Sequence, residues 1–377
     1  MPPRKHPARI TAKGIGAAGR NGMQRPRYSR ILFFKLGALG DTLMTTPLVR
    51  QARRRFPHAT LHYLIGRHSA PALEGNPHLD QVITFEEGVF TRKSIVGILR
   101  LIHAIRRERY DMIFVLDKHR VFNIIAYLAG IPERIGFDRL GKEGALLTRK
   151  AYYGNDKHEI YYYLDLLAQL GKKIAFSNSR IELFLSKTDR AFAKKQWKKH
   201  ALERKTVIGI APGGGKNPGE TTELRNWPVE RYAQLVKALY ARHPGHSIVL
   251  FGSKEDFEKE RALLRINKGS LSGKNIVSFI GACTLKQTAA LMERCSCVVC
   301  NDAGAMHIAA AANARVISIF GPTNPLRKAP LNKGSVALWN DQASYDPRYE
   351  LFGVKPKMGK QGFAWHILVD DVLRHIP

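Results

Sequence analysis

The chain has 377 residues with 61 Lys and Arg against 31 Asp and Glu, a net charge of +30. Its apolar share of 44% fills two ordinary cores and excludes a disordered chain, and no apolar run is long enough to span a bilayer. The basic excess favours polyanionic partners: nucleic acid, an anionic membrane face or a phosphorylated substrate.

Residues 1–28 are rich in Gly, Pro, Arg and Lys and contain no acid, which predicts a disordered basic tail with no secretory leader. From Ile31 the pattern becomes strands alternating with amphipathic helices. "RILFFKL" is a strand. "TTPLVRQARRRFP" is a helix with Thr46 as cap and Pro47 at its first position. "TLHYLIG", "QVITFE", "DMIFVLD" and "RIGFD" are further strands, with "VGILRLIHAIRRERY", "NIIAYLAGI" and "EIYYYLDLLAQLG" as the helices between and after them. The stretch that follows holds a short strand in "RIELFLS" and a very basic helix, and the interdomain connection is expected there. A second series follows, with strands "TVIGIAPG", "SIVLFG", "NIVSFIG", "CVVCND" and "RVISIFG" separated by four helices. "GFAWHILVDDVLRHIP" is a last helix, expected to pack back across the first domain. Such alternation predicts an α/β fold of two doubly wound parallel-sheet domains facing a cleft. The expected division is 1–28, 29–178, 179–205, 206–362 and 363–377.

Ligands bind doubly wound domains at the carboxyl ends of the strands, so the loops there matter most. "APGGGKNPGETTELRNWP" offers Gly213 and Gly214 for close backbone approach to an anion, with Lys216 and Arg225 as phosphate-gripping cations. In "FGSKED", Glu255 either accepts from ribose hydroxyls or joins Asp256 in the first turn of a helix capped by Ser253. In "NDAGAMHIAAAA", the backbone at Ala303 and Gly304 suits a pyrophosphate, Asp302 a sugar hydroxyl, and His307 either faces the cleft or packs. "CSCVVC" has metal-like spacing among the cysteines at 283, 295, 297 and 300. Cys297 and Cys300 fall on or beside a strand, which favours packing and a reducing, cytoplasmic setting.

"KLGALGDTLMTTP" looks like a phosphate loop, yet it places Asp41 where the anion would sit. With the nucleotide in the second domain, Asp41 faces the cleft from the opposite wall, as a general base or as the cap of its own helical turn. Gly37 and Gly40 then permit the tight turn and close approach of an acceptor.

"FFKLGALGDTLMTTPLVRQARRRFP", "GIAPGGGKNPGETTELRNWPVERYAQL" and "VVCNDAGAMHIAAAANARVISIFGPTNP" together resemble the ADP-heptose–lipopolysaccharide heptosyltransferases of glycosyltransferase family 9. The resemblance implies a GT-B fold and inverting transfer of heptose from an ADP-linked donor without metal or cofactor. It implies Asp41 as catalytic base, Arg225 on the donor phosphate, and Asp302, Gly304 and His307 as donor contacts. Ala303 departs from the usual Ser or Thr, and "DKHRVFN" from a glycine-containing acceptor turn. The implied partners are ADP-heptose and an inner-core lipopolysaccharide acceptor, with a basic face on the anionic inner membrane. Arg67, Arg120, Arg139 and Lys142 are candidates on the acceptor side. A nucleic-acid partner is not expected, because no basic-aromatic groove pattern is present.

Overall fold

The structure, a computed structural model, describes residues 28–171, 174–214, 222–268, 276–340, 345–354 and 366–377. The tail expected over 1–28, apart from Tyr28, and the candidate Lys216 lie outside these residues.

The first half runs β1 Arg30–Lys35, α1 Leu39–Met44, α2 Thr46–Arg55, β2 Thr60–Gly66, β3 Gln81–Phe85, α3 Gly88–Thr91, α4 Ile95–Arg107, β4 Met112–Val115, α5 Arg120–Leu128, β5 Glu133–Asp138, β6 Arg149–Tyr152 and α6 Glu159–Ala168. The second half runs α7 Lys187–Lys199, β7 Val207–Ala211, α8 Val229–Arg242, β8 Ser247–Leu250, α9 Phe257–Ile266, β9 Ile276–Ser278, α10 Leu285–Met292 and β10 Cys297–Asn301. It continues through α11 Gly304–Ala311, β11 Val316–Ile319, α12 Pro325–Lys328, β12 Val336–Leu338, α13 Pro347–Phe352 and α14 Val369–Leu373.

Each half builds one six-stranded parallel sheet. The orders are β3-β2-β1-β4-β5-β6 and β12-β11-β10-β7-β8-β9, so both sheets share one winding. Helices cover both faces, which explains why central strands such as "VIGIA" are buried along their whole length. The order reverses between β1 and β4, and between β7 and β10. A crevice opens at each reversal, on the carboxyl side of the strands.

Several local expectations need correction. Thr45, not Thr46, precedes α2, and Pro47 is its second residue. The stretch 177–186 forms no strand. It lies extended along α2, where Arg50 donates to the carbonyls of Asn178 and Arg180 at 2.8 and 3.0 Å and pairs with Glu182 at 2.8 Å. The basic helix α7 packs on α10 and belongs to the second half. Strands β6 and β12 close the far edges of the sheets and carry little sequence signal. The terminal helix α14 does not return to the first domain. It packs on α8, with Ile367, Val372 and Leu373 in the core under the second sheet. The Trp227 indole secures it by donating to the Ile367 carbonyl at 2.9 Å.

The cysteines do not converge. Cys297 and Cys300 lie three residues apart on β10 and enter different cores. All four are free thiols, and burial pushes Cys283 up to about 11 and Cys297 to about 12. No helix among the described residues is long and apolar enough to cross a membrane.

Candidate active site

The loops at the two sheet reversals meet across a cavity of about 320 Å³. The first half contributes Gly40 and Asp41, which follow β1. The second contributes Gly213 and Gly214 after β7, Glu255 after β8, and Ala303 and Gly304 after β10. Arg225, Asp302, His307 and Lys328 also line it.

Asp41 sits on the third residue of α1, behind the helix cap at Ala38. Ala38 is held at φ 62°, a conformation that L residues seldom adopt, so the turn into α1 is tight. Asp41 therefore does not cap its helix, and among the described residues no donor hydrogen-bonds its carboxylate. Burial alone opposes its ionisation. The charges of Lys328, Lys118 and Lys35 overcome that and hold the carboxyl well below the usual carboxylate range.

The two halves touch directly here, where α1 packs against α11. Gly40 makes the contact possible: a Cβ at that position would stand 2.4 Å from Cδ2 of His307. His307 is thus both cavity wall and packing surface. Burial pushes its imidazole down to about 4 despite the nearby Asp302 and Asp41 carboxylates, so it is neutral at pH 7. In the unfolded chain it titrates near 6.5. The stabilising contribution of the neutral ring is therefore full above about pH 6.5 and is lost as pH falls toward 4. Urea midpoints measured between pH 7.5 and 4.5 should fall across that window, and less steeply in His307→Gln; an unchanged slope would place the acid sensitivity elsewhere.

The second-half loops are tied together by one residue that the sequence reading passed over. Asn301 is fully buried. Its side-chain oxygen accepts from the Trp227 N–H and the Tyr232 hydroxyl, both at 2.9 Å, and its amide donates to the Pro212 carbonyl at 3.0 Å. One side chain thereby fixes the loops after β7, before α8 and after β10. Asp302 accepts from Thr323 at 2.7 Å, and Arg225 Nη1 approaches it at 3.8 Å. Arg225 also donates to the Tyr349 hydroxyl at 3.2 Å. Gly213 has a packing reason to be glycine, since a Cβ there would collide with the Asp256 carboxylate at 1.9 Å. Asp256 itself accepts from Ser253 N–H at 2.9 Å, which is the capping arrangement; Glu255 beside it lines the cavity. Helix α11 opens at Gly304 with no side-chain cap, consistent with Ala303 lacking a hydroxyl. The Met306 N–H donates to the Ala303 carbonyl at 3.0 Å, and the N–H groups of Gly304 and Ala305, ahead of it, have no intrahelical partner.

Lys328 is the cation that sequence reasoning missed. It ends α12, just past "GPTNP", and carries its charge between Asp41 and Asp302: burial pushes its ammonium down, and the carboxylates return it above its ordinary value. Its neighbour Arg327 points the other way and is 0% exposed. It donates to the Tyr153 hydroxyl and to Glu159 of the first half, each at 2.6 Å. Nearby, Nε2 of His158 lies 2.9 Å from the Ala329 carbonyl. Lys118 pairs with Glu159 at 3.4 Å, and Lys35 with Asp117 at 3.1 Å. The "DKHRVFN" segment thus anchors the end of β1.

The candidate acceptor residues are not gathered. Gly37 and Arg120 do not line the cavity, and Arg120 is exposed at the start of α5. Arg67 pairs with Glu86 at 2.7 Å on the surface, Lys142 is exposed, and Arg139 pairs with Glu143 at 2.6 Å and donates to the Leu351 carbonyl.

Residues 98–350 match the profile of Glycosyltransferase family 9 (heptosyltransferase). The chain is 26% identical to Lipopolysaccharide heptosyltransferase 2 of Escherichia coli K12 over 311 residues, 80% of this chain and 86% of that one. Its structure resembles a family 9 glycosyl transferase of Veillonella parvula, with TM-score 0.75 and 23% identity over 94% of this chain and 98% of that one. It also resembles the E. coli ADP-heptose lps heptosyltransferase II, with TM-score 0.70 and 24% identity over 92% of this chain and 97% of that one. The shared architecture is the GT-B fold.

Proposed function

We propose, from the premise that the chain belongs to glycosyltransferase family 9, that it moves heptose from ADP-heptose to an inner-core sugar of lipopolysaccharide. One observation carries the reading: a carboxylate without a hydrogen-bond partner among the described residues shares its cavity with two cations and an uncapped helix N-terminus. The carboxylate belongs to the first half, and the anion-binding groups to the second.

In this reading Arg225, Lys328 and the first N–H groups of α11 hold the ADP diphosphate, while Asp302 and Glu255 accept from sugar hydroxyls. The acceptor hydroxyl enters from the first half. Asp41 takes its proton as the new bond to the anomeric carbon forms. The bond to the diphosphate oxygen breaks on the opposite face, and ADP leaves with the electron pair, so the configuration inverts. Arg225 and Lys328 balance the departing charge, which is the role a metal ion fills elsewhere, and neither metal nor cofactor is invoked. Held well below the usual carboxylate range by Lys328, Lys118 and Lys35, Asp41 is a weak base. A bound diphosphate draws the field of Lys328 toward itself and so returns proton affinity to Asp41. The enzyme would work at the cytoplasmic face of the inner membrane, where a basic protein meets its anionic acceptor.

The test is acceptor-dependent release of ADP from ADP-heptose with inner-core lipopolysaccharide. Turnover supports the reading. Tight ADP binding without turnover would point to another sugar or acceptor, and the absence of both would overturn it. Lys328→Ala should weaken ADP binding by about ten- to a hundredfold in calorimetry, the worth of one hydrogen bond to a charged group. An affinity within threefold of wild type would remove Lys328 from the donor site.

A further inference from the structure

An arginine that grips a phosphate needs a fixed direction. Its side chain is long and flexible, and ordering it at the moment of binding costs affinity. Helix α13 supplies that direction for Arg225. The Tyr349 hydroxyl accepts from Nε of Arg225 at 3.2 Å, and the guanidinium carbon lies 5.5 Å from the centre of the same ring. Nε is the donor that a two-pronged grip through Nη1 and Nη2 does not need. No residue of α13 lines the cavity, so Tyr349 acts on it only through Arg225.

The next residues of α13 are anchored elsewhere. Glu350 is almost fully buried. Its Oε2 accepts from the Tyr345 hydroxyl at 2.7 Å and from the backbone N–H of Asn324 at 3.4 Å, and Asn324 caps the helix that carries Lys328. The Leu351 carbonyl accepts from Arg139 of the first half at 2.6 Å. The Arg139 guanidinium carbon lies 5.3 Å from the centre of the Phe352 ring. Tyr349, Glu350 and Leu351, in succession, thus reach the cavity arginine, the base of α12 and the opposite half.

We propose that α13 is a clasp. Tyr349 is a positioning residue that directs Arg225 toward the donor diphosphate, and Arg139 braces the clasp from the first half. The proposal rests on the proposed function, in which Arg225 holds that diphosphate.

ADP affinity of the full chain would be measured by calorimetry without acceptor. Arg225→Ala tests the underlying reading: an affinity within threefold of wild type would overturn the donor site and the clasp with it. Tyr349→Leu should weaken ADP about tenfold, and Tyr349→Phe about threefold, since Phe keeps the ring and loses the hydrogen bond. In the Arg225→Ala background, Tyr349→Leu should cost less than about twofold, because the group that it positions is gone. A merely structural tyrosine would cost the same in both backgrounds, and that result would overturn the proposal. So would Tyr349→Leu at wild-type affinity beside an Arg225→Ala variant that has lost it. Phenylalanine is nearly isosteric with tyrosine and carries the same comparison if leucine disturbs α13. Arg139→Gln should weaken ADP about threefold from the opposite half, as the loss of one charged hydrogen bond at the brace. A contact between Arg139 and acceptor alone would leave ADP affinity unchanged, and that outcome would overturn the brace.

Discussion

Asp41→Asn should lower kcat about a thousandfold and leave ADP bound at least as tightly as in wild type. General-base catalysis contributes about 10²- to 10⁴-fold, and the amide cannot take the acceptor proton. The substitution preserves the size of the side chain, so the contact between Gly40 and His307 is not disturbed. The second half of the expectation separates a base from a binding residue. The carboxylate shares the cavity with the groups proposed to hold the diphosphate, and a negative charge there opposes an anion. Removing it costs donor affinity nothing. Calorimetry with ADP and single-turnover transfer make the measurement, with thermal unfolding as the control. A variant that keeps a tenth of wild-type kcat would deny Asp41 the role of base. A variant that loses ADP together with turnover would make it a structural residue.

The second large effect concerns Arg327, which takes no part in the proposed chemistry. Arg327→Met should reduce the free energy of unfolding by about 3 kcal/mol, because it leaves the buried Glu159 with Lys118, at 3.4 Å, as its remaining cation. The attraction between the partners does not set that figure; the desolvation of the abandoned carboxylate does. It follows that Arg327→Met combined with Glu159→Leu should recover much of the loss, and a double-mutant cycle in urea would read the coupling. Additive losses would mean that the two side chains act independently. The Met variant should also bind ADP more weakly, since Arg327 holds the four-residue helix that carries Lys328.

The sequence made the architecture legible wherever burial left a long signal. Strands such as "RILFF" and "CVVCN" read clearly because both faces are covered. The loops after β1, β7 and β10 were legible because glycine and aspartate interrupt those apolar runs at the strand ends. The edges were not. Strand β12 has three residues, and β6 is "RKAY", so neither is long enough for periodicity to register. The stretch 177–186 alternates like a strand but finds no ladder, because its partners are the Arg50 guanidinium and the surface of α2. The amphipathic face of α14 announced a packing surface and not which core it joins. Lys328 was hidden by composition: one lysine among 61 basic residues has no local mark, and only the fold sets it near Asp41. Asn301 was hidden differently. Its value lies in three loops distant in sequence, and nothing in "ND" records them.

Arg327 and Lys328 are neighbours in the chain with opposite allegiances. One is moored in the first sheet's half and the other lines the cavity between the halves. The boundary between the halves, as a protein engineer would cut it, is therefore not simply the stretch 177–186 ahead of α7. A chimera that imported a foreign C-terminal half would strand Glu159 and Tyr153 without Arg327 and let α12 drift. Such a graft has to carry those two residues with it, because the cavity inherits its shape from both parents.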